Sequence, residues 1–444
     1  MNLKVTLHEK TVGQLADDPG SGRIYFQYDK DWPASGLEIS PLQLPSARQG
    51  LYTHPDPTFS GLPGVFADSL PDHWGQSLLN LRLKEAGIDP ETASPLVRLG
   101  YIGTSGMGAL EYHPAIDSPS SLSQAVTLAQ VDREASFLQE DKPVVGPPAA
   151  TLALFHSGCS AGGAKPKVLA ALLPDGNLRI GTDIPDKAQG WLIKLSTVPF
   201  ENKDSRQEGR LEYAYSLMAK ASGIEMPDTR LFEIETPKGK RGLFGILRFD
   251  RNGPNKIHTH SLSGLLHQSY LLCSYEDLAK VAFRLTRDHG ALTAIFRRLC
   301  FNVLARNCDD HGKNFAFTMS ETGQWALSPA FDLTHSPGPN KMGVHAMSVQ
   351  GTRNPSRNDL LRFASEFQIK DAAEVLDQVH RAIGHWPEFA HQAGLKETIA
   401  DRLVVALGEP PAPKASVNQV SPRPARLRSG RSKNDNGHAP SIGI

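Results

Sequence analysis

The stretch Asn307-Cys308-Asp309-Asp310-His311-Gly312-Lys313-Asn314, followed by Ser328-Pro329-Ala330-Phe331-Asp332-Leu333, sets carboxylates and an amide where a phosphoryl-transfer site needs them. A transferring phosphoryl group is already anionic, so the protein supplies mainly cations, fixed dipoles and alignment. In kinases a loop Asp accepts the substrate hydroxyl proton, an Asn five residues on holds magnesium, and a later Asp holds magnesium against the nucleotide phosphates. Asp309, Asn314 and Asp332 stand in that order. Magnesium prefers oxygen ligands, which Asn314 and Asp332 both offer. Asp, Asn and His are also common in hydrogen-bonded turns, so the rest of the chain must decide.

Directly upstream, Leu292, Ile295, Phe296, Leu299 and Val303 recur at helical spacing and predict a helix from Ala291 to Arg306 that holds the loop. Downstream, "FAF" and "WALSPAFD" read as two short strands that return Asp332 to the same mouth.

Further upstream, Ser157-Gly158-Cys159-Ser160-Ala161-Gly162-Gly163-Ala164-Lys165-Pro166-Lys167 is a run of small residues ending in cations, followed by an apolar run and a hairpin turn at Asp175-Gly176. Such a loop lets backbone amides approach phosphates, with Lys165 or Lys167 neutralising them, or it is a flexible surface loop. It is not a Walker A loop. In "GWLIKLST", Lys194 interrupts an apolar strand pattern, and burying an ammonium is costly unless an anion meets it. Glu212, on a helical pattern (Leu211, Tyr215, Met218) ending near Gly223, is the candidate orienter; the alternative is a Lys194 that snorkels out of an edge strand. Arg241 to Arg251 reads as an apolar strand running into a charged turn, where a base could pair with exposed backbone.

The strings "SAGGAKPK", "WLIKLS", "EYAYSLMAKASGIEMPDTRL", "LRFDR", "NCDDHGKNFAF" and "PAFDL" together resemble the HipA-type serine/threonine kinases, toxins of bacterial toxin-antitoxin pairs. "VTLHEKTVGQL", "GLPGVFADSLPDHWG" and "LGYIGTSGMGALEY" resemble the small domain such proteins carry ahead of the kinase. The resemblance implies an α+β, bilobal protein-kinase-like fold with a small β-rich N-terminal domain and a mostly helical C-terminal lobe. It implies that Asp309 is the catalytic base and that Asn314 and Asp332 hold Mg2+. Gly162, Gly163, Ala164, Lys165, Pro166, Lys167 and Lys194 would contact ATP phosphates. The backbone of Leu247, Arg248 and Phe249 would hold adenine, Asp250 would reach the ribose, and His311, Gly312, Lys313 and Phe331 would line the nucleotide site. A serine at the head of the glycine loop is autophosphorylated in the family, ejecting the loop; Ser160 holds that position, with Ser157 second. The charge of a phosphoserine is incompatible with sharing a phosphate pocket with ATP. The implied partners are a HipB-like helix-turn-helix antitoxin, through which DNA is reached indirectly, and a protein substrate such as an aminoacyl-tRNA synthetase.

Other features read as structural. The glycines of "GYIGTSGMG" are followed by no lysine-bearing strand and predict a turn. His258, His260 and His267 lack a zinc spacing backed by cysteines, so no structural zinc is expected. Four scattered cysteines without a CxxC pair fit a reduced cytoplasm. No basic-then-apolar leader opens "MNLKVTLHEK" and no apolar run is long enough to span a membrane, so a soluble cytoplasmic protein is expected.

With 39% hydrophobic and 21% charged residues the chain can bury a substantial core. The formal charge is zero overall, yet from Pro411 onward six Lys/Arg face one Asp, leaving a +5 tail and a −5 remainder. An acidic body argues against this chain being the main DNA reader. The expected order is an N-terminal domain at 1–115, a helical connection and linker at 116–149, a kinase N-lobe at 150–250, a helical C-lobe at 251–408 and a disordered basic tail at 409–444. Two alternatives share these residues: a small-molecule or lipid phosphotransferase, and a non-catalytic co-repressor bound to a DNA-binding antitoxin.

Overall fold

Leu3, Val5 and Leu7 alternate with polar neighbours, as a half-buried strand requires, and all three are fully buried. They lie on β1 (Asn2–Leu7), which turns through His8 and Glu9 into β2 (Lys10–Asp17). With β3 (Ile24–Tyr28) and β4 (Leu110–His113) these form an antiparallel sheet in the order β3-β2-β1-β4. Between β3 and β4 run α1 (Gly64–Ala67), α2 (His73–Glu85) and α3 (Pro95–Ile102). The computed structural model describes residues 1–48, 50–116, 126–140, 148–159, 163–338 and 341–408. Ser160, Gly162 and the basic tail expected at 409–444 lie outside the described residues.

The second sheet is β5 (Lys167–Leu172), β6 (Leu178–Ile180), β7 (Gln189–Lys194), β8 (Thr229–Thr236) and β9 (Gly239–Leu247), antiparallel in the order β6-β5-β7-β9-β8. The β5–β6 turn falls at Asp175-Gly176, where Gly176 has φ 86°. α4 (Leu128–Gln139) and α5 (Pro148–Gly158) share a core with this sheet, including Val131, Leu154, Val168 and Ile193. Trp74 and Leu78 of α2 join that core, although they belong to the stretch read as the N-terminal domain. α6 (Glu208–Ala221) crosses β9 so closely that a Cβ on Gly209 would sit 2.2 Å from the Gly242 carbonyl oxygen.

α5 is a helix that runs into the segment expected as the kinase N-lobe at 150–250, and its local sequence does not announce it. Its sequence, PAATLALFHSG, is apolar on nearly all sides, and periodicity cannot separate a buried helix from a buried strand in so short a run.

After the small ladder β10 (Arg251–Asn252) and β11 (Asn255–Lys256), the chain enters a lobe built on helices. β12 (His258–Ser261) leads to α7 (Leu262–Leu266), α8 (Tyr275–Thr286) and α9 (His289–Leu304). The predicted helix over Ala291–Arg306 is α9; Asp288 caps its start and Arg306, at φ 55°, lies beyond its end. The expected hairpin is β13 (Ala316–Met319) with β14 (Trp325–Leu327), and β13 also pairs with β12. α10 (Arg357–Glu366), α11 (Ala372–Gly384), α12 (Trp386–Gln392) and α13 (Glu397–Gly408) complete the described chain. Ser274 and Asp277 form a capping box on α8. Among the described residues no helix is long and apolar enough to cross a membrane.

Candidate active site

The β5–β7 register sets Lys167 directly opposite Lys194. Like charges facing each other across a ladder are destabilising, so this pair needs anions around it. Lys194 donates to Glu212 of α6 and to Asp332 beyond β14. Its side chain is only 14% exposed, that of Glu212 6% and that of Asp332 39%. Burial opposes the charge on Lys194, but Asp332 and Glu212 outweigh it and hold the ammonium above its usual range. Burial likewise opposes the Asp332 charge, and Lys194 and Lys167 outweigh it, holding that carboxyl well below the carboxylate range. Lys167, desolvated by burial and repelled by Lys194, is pulled down to about 8. Asp332 has φ 56°, a sparsely populated backbone region that clusters at functional sites.

The loop after α9 hangs from a buried polar network. The Asp310 carboxylate accepts from the Tyr275 hydroxyl at 2.7 Å, the His345 Nδ1 at 2.9 Å and the Ala346 amide at 2.9 Å. Asn302 donates to the same hydroxyl, and Asn307 donates to Asn302. Asp309, its neighbour, has no such enclosure. Burial raises the Asp309 carboxyl, Asp332 and Asp310 add to the rise, and His311 and Lys165 oppose it. Asn314 Nδ2 donates to the Asp309 carbonyl at 2.8 Å, which fixes the amide and leaves Oδ1 as its acceptor end. Gly312 lies where a Cβ would meet the Cys273 sulfur at 2.6 Å, and Lys313 donates to Asp72 at 2.6 Å. His311 packs edge-on against Tyr270, with ring centroids 5.0 Å apart.

In the glycine loop, Gly163 has φ 101°, and a Cβ there would fall 2.2 Å from Lys167 Nζ. The side chain turned toward the loop is therefore that of Lys167. Lys165 is 3.8 Å from Glu208, Ala164 is exposed, and buried Pro166 accepts the Leu195 amide. Ser157 is fully buried on α5 with its hydroxyl bonded to the Ala153 carbonyl, which removes it as a ready phosphate acceptor.

At the end of β9, the Leu247 and Arg248 amides already donate to the Asp228 and Gly190 carbonyls. Phe249 stacks on Phe331 at 5.4 Å between centroids. Asp250, expected at the ribose, is 1% exposed, and its oxygens accept from Arg248, Arg251 and the Gly108 amide. The turn "GTSGMG" docks on this cluster through the Gly106 and Gly108 carbonyls, which receive Arg251. Sequence reasoning also missed Asp72, whose partners at 163 and 313 are far away in the chain.

Two oxygen donors of the kind magnesium takes belong to this site. Magnesium sites use one or two carboxylates, neutral oxygens and substrate phosphates rather than an all-protein cage, and Asn314 Oδ1 with the part-exposed Asp332 supplies that set.

A five-stranded lobe, a helical lobe and a lysine shared by carboxylates from both define the class: an α+β, bilobal kinase-like fold headed by a small β-rich domain. The model of the HipA N-terminal domain matches residues 3–113 and that of the HipA-like C-terminal domain matches residues 159–398; the chain belongs to the HipA family. The serine/threonine-protein kinase toxin HipA of Shewanella oneidensis is 21% identical over 358 residues, covering 75% of each chain. "Putative kinase Y4dM" of Sinorhizobium fredii is 26% identical over 167 residues, 34% of this chain and 39% of that protein. A Haemophilus influenzae protein named "Putative kinase" is 30% identical over 137 residues, 28% of this chain and 39% of that one. The chain thus matches well under half the length of the latter two. Among solved structures, the Shewanella oneidensis complex of HipA, HipB and operator DNA contains a chain of the same fold, with TM-score 0.63, 18% identity, and coverage of 91% of this chain and 95% of that one.

Proposed function

We propose that this chain is a HipA-type toxin kinase that transfers the γ-phosphate of ATP to a serine or threonine hydroxyl of a protein, with Mg2+ as cofactor. The observation that carries the reading is Lys194 held between Glu212 and Asp332, beside the Asp309 loop. A kinase needs this lysine held by a helix carboxylate and a metal-binding carboxylate close by. Asp309 takes the proton of the incoming hydroxyl, and its raised carboxyl makes it a better base than an ordinary Asp. Asn314 and Asp332 would hold magnesium, which when bound neutralises charge on the phosphates. Lys167, Lys194 and the Gly163 region orient the phosphates, and Phe249 with Phe331 flanks the base. The partner in this reading is a HipB-like antitoxin that brings the chain to DNA. The substrate is a translation component such as an aminoacyl-tRNA synthetase, and phosphorylation of Ser160 is the off-switch.

Incubation of wild type and Asp309→Asn with γ-labelled ATP, Mg2+ and cell extract tests the reading. Label on protein serine or threonine that disappears in the variant is the expected result. Label confined to metabolites would favour a small-molecule phosphotransferase, and a growth defect unchanged in Asp309→Asn would favour a non-catalytic co-repressor. Ser160→Ala should keep transfer to substrate while abolishing the slow loss of activity in Mg-ATP, read by intact mass and site mapping.

A further inference from the structure

Asp72 stands immediately before α2, the position from which an Asp ordinarily caps its own helix. Its side chain makes no cap bond there. One oxygen instead accepts from the Gly163 amide at 2.7 Å, and the other accepts from Lys313 Nζ at 2.6 Å. The start of α2 is seated along the same loop at two further points. Trp74 Nε1 donates to the Lys167 carbonyl at 3.2 Å, and a Cβ on Gly75 would come within 2.6 Å of the Cys159 carbonyl oxygen. One helix start thus grips the glycine loop before, within and after its glycines, while reaching the residue next to Asn314.

We infer that Asp72 is a positioning residue of the transfer site: a carboxylate lent by the N-terminal domain that clamps the glycine loop to the catalytic loop. The inference rests on the kinase reading above and extends it, because the C-terminal match begins only at residue 159 and lacks this group. Forgoing a helix cap has a cost, and two charge-assisted bonds to separate loops offset it. The clamp fixes the direction of the Gly163 region and of Lys313 before a nucleotide arrives, so the nucleotide binds without ordering them itself.

Full-length wild type, Asp72→Ala, Asp72→Asn, Lys313→Met and the double variant Asp72→Ala/Lys313→Met are compared for binding of a Mg2+–non-hydrolysable ATP analogue and for steady-state transfer. Loss of a charge-assisted pair predicts about tenfold weaker binding in Asp72→Ala, with KM for ATP rising more than kcat falls. Asp72→Asn keeps an oxygen for the Gly163 amide and should recover part of the loss. The double variant should be little worse than the worse single one, since the two side chains act as a pair. Wild-type binding and KM in Asp72→Ala, or strictly additive losses in the cycle, would overturn the inference while leaving the kinase reading intact. A wild type that neither binds the analogue nor transfers phosphate sinks the kinase reading itself, and this inference with it. Should Asp72→Ala fail to fold, the near-isosteric Asp72→Asn carries the same comparison.

Discussion

Asp309 and Asp310 are neighbours with opposite fates. Asp310 is buried, and all its oxygens serve the fold through Tyr275, His345 and Ala346. The five-residue spacing to Asn314 marked Asp309 as the candidate base, but nothing local could reveal the role of Asp310, because its partners lie 35 or 36 residues away. His345 makes the role testable. Burial opposes its charge, yet the Asp310 carboxylate raises it from 6.5 to about 10. A group whose folded value is raised gives its full stabilisation below the unfolded value and loses it as pH climbs through the folded one. Stability contributed by this pair is therefore complete below 6.5 and is lost toward about 10. Denaturant midpoints measured across that range should fall in wild type, and the alkaline decline should be shallower in His345→Gln, whose side chain does not titrate.

At the scale of elements, the β5–β7 ladder is decisive because it brings Lys167 and Lys194 face to face. The two lysines have different surroundings, and their substitutions should differ in size of effect. Lys194→Met leaves Glu212 and Asp332 without their shared cation, a broken buried pair that costs about 3–5 kcal/mol. Urea unfolding should show that loss, together with loss of transfer. Lys167→Met removes the repulsion toward Lys194 together with attractions to Asp332, Asp72 and Glu212, so its midpoint should shift far less than that of Lys194→Met while nucleotide affinity falls. The Lys194 strand, the hairpin turn and α9 were legible because each is written in local periodicity or in its own turn residues. α5 was not, since a segment apolar on nearly all sides carries no clear face to read. Which of Lys165 and Lys167 turns inward was equally hidden, as strand register decides it and register is a long-range property.

Across the whole molecule, the N-terminal and kinase-like parts fall within one compact unit, Met1–Pro411. Ion pairs and buried hydrogen bonds tie them. Asp68 accepts from His260 and Ser261, Glu111 pairs with Lys256, and the Gly108 amide reaches Asp250. Both parts were legible as sequence patterns, whereas these ties, spanning up to 193 residues of chain, were not. Asp250 is the sharpest case, because family resemblance gave it to the ribose and the structure gives it to two guanidiniums and a distant backbone amide. Arg248 and Arg251 hold its carboxyl far below the ordinary range against the opposing effect of burial. Asp250→Ala would leave those two buried cations without their anion and loosen the "GTSGMG" turn, a loss of about 3–5 kcal/mol. The expected outcome is a large drop in the urea midpoint whether or not nucleotide is present. A ribose contact would behave differently: the midpoint without nucleotide would match wild type, and only KM for ATP would rise.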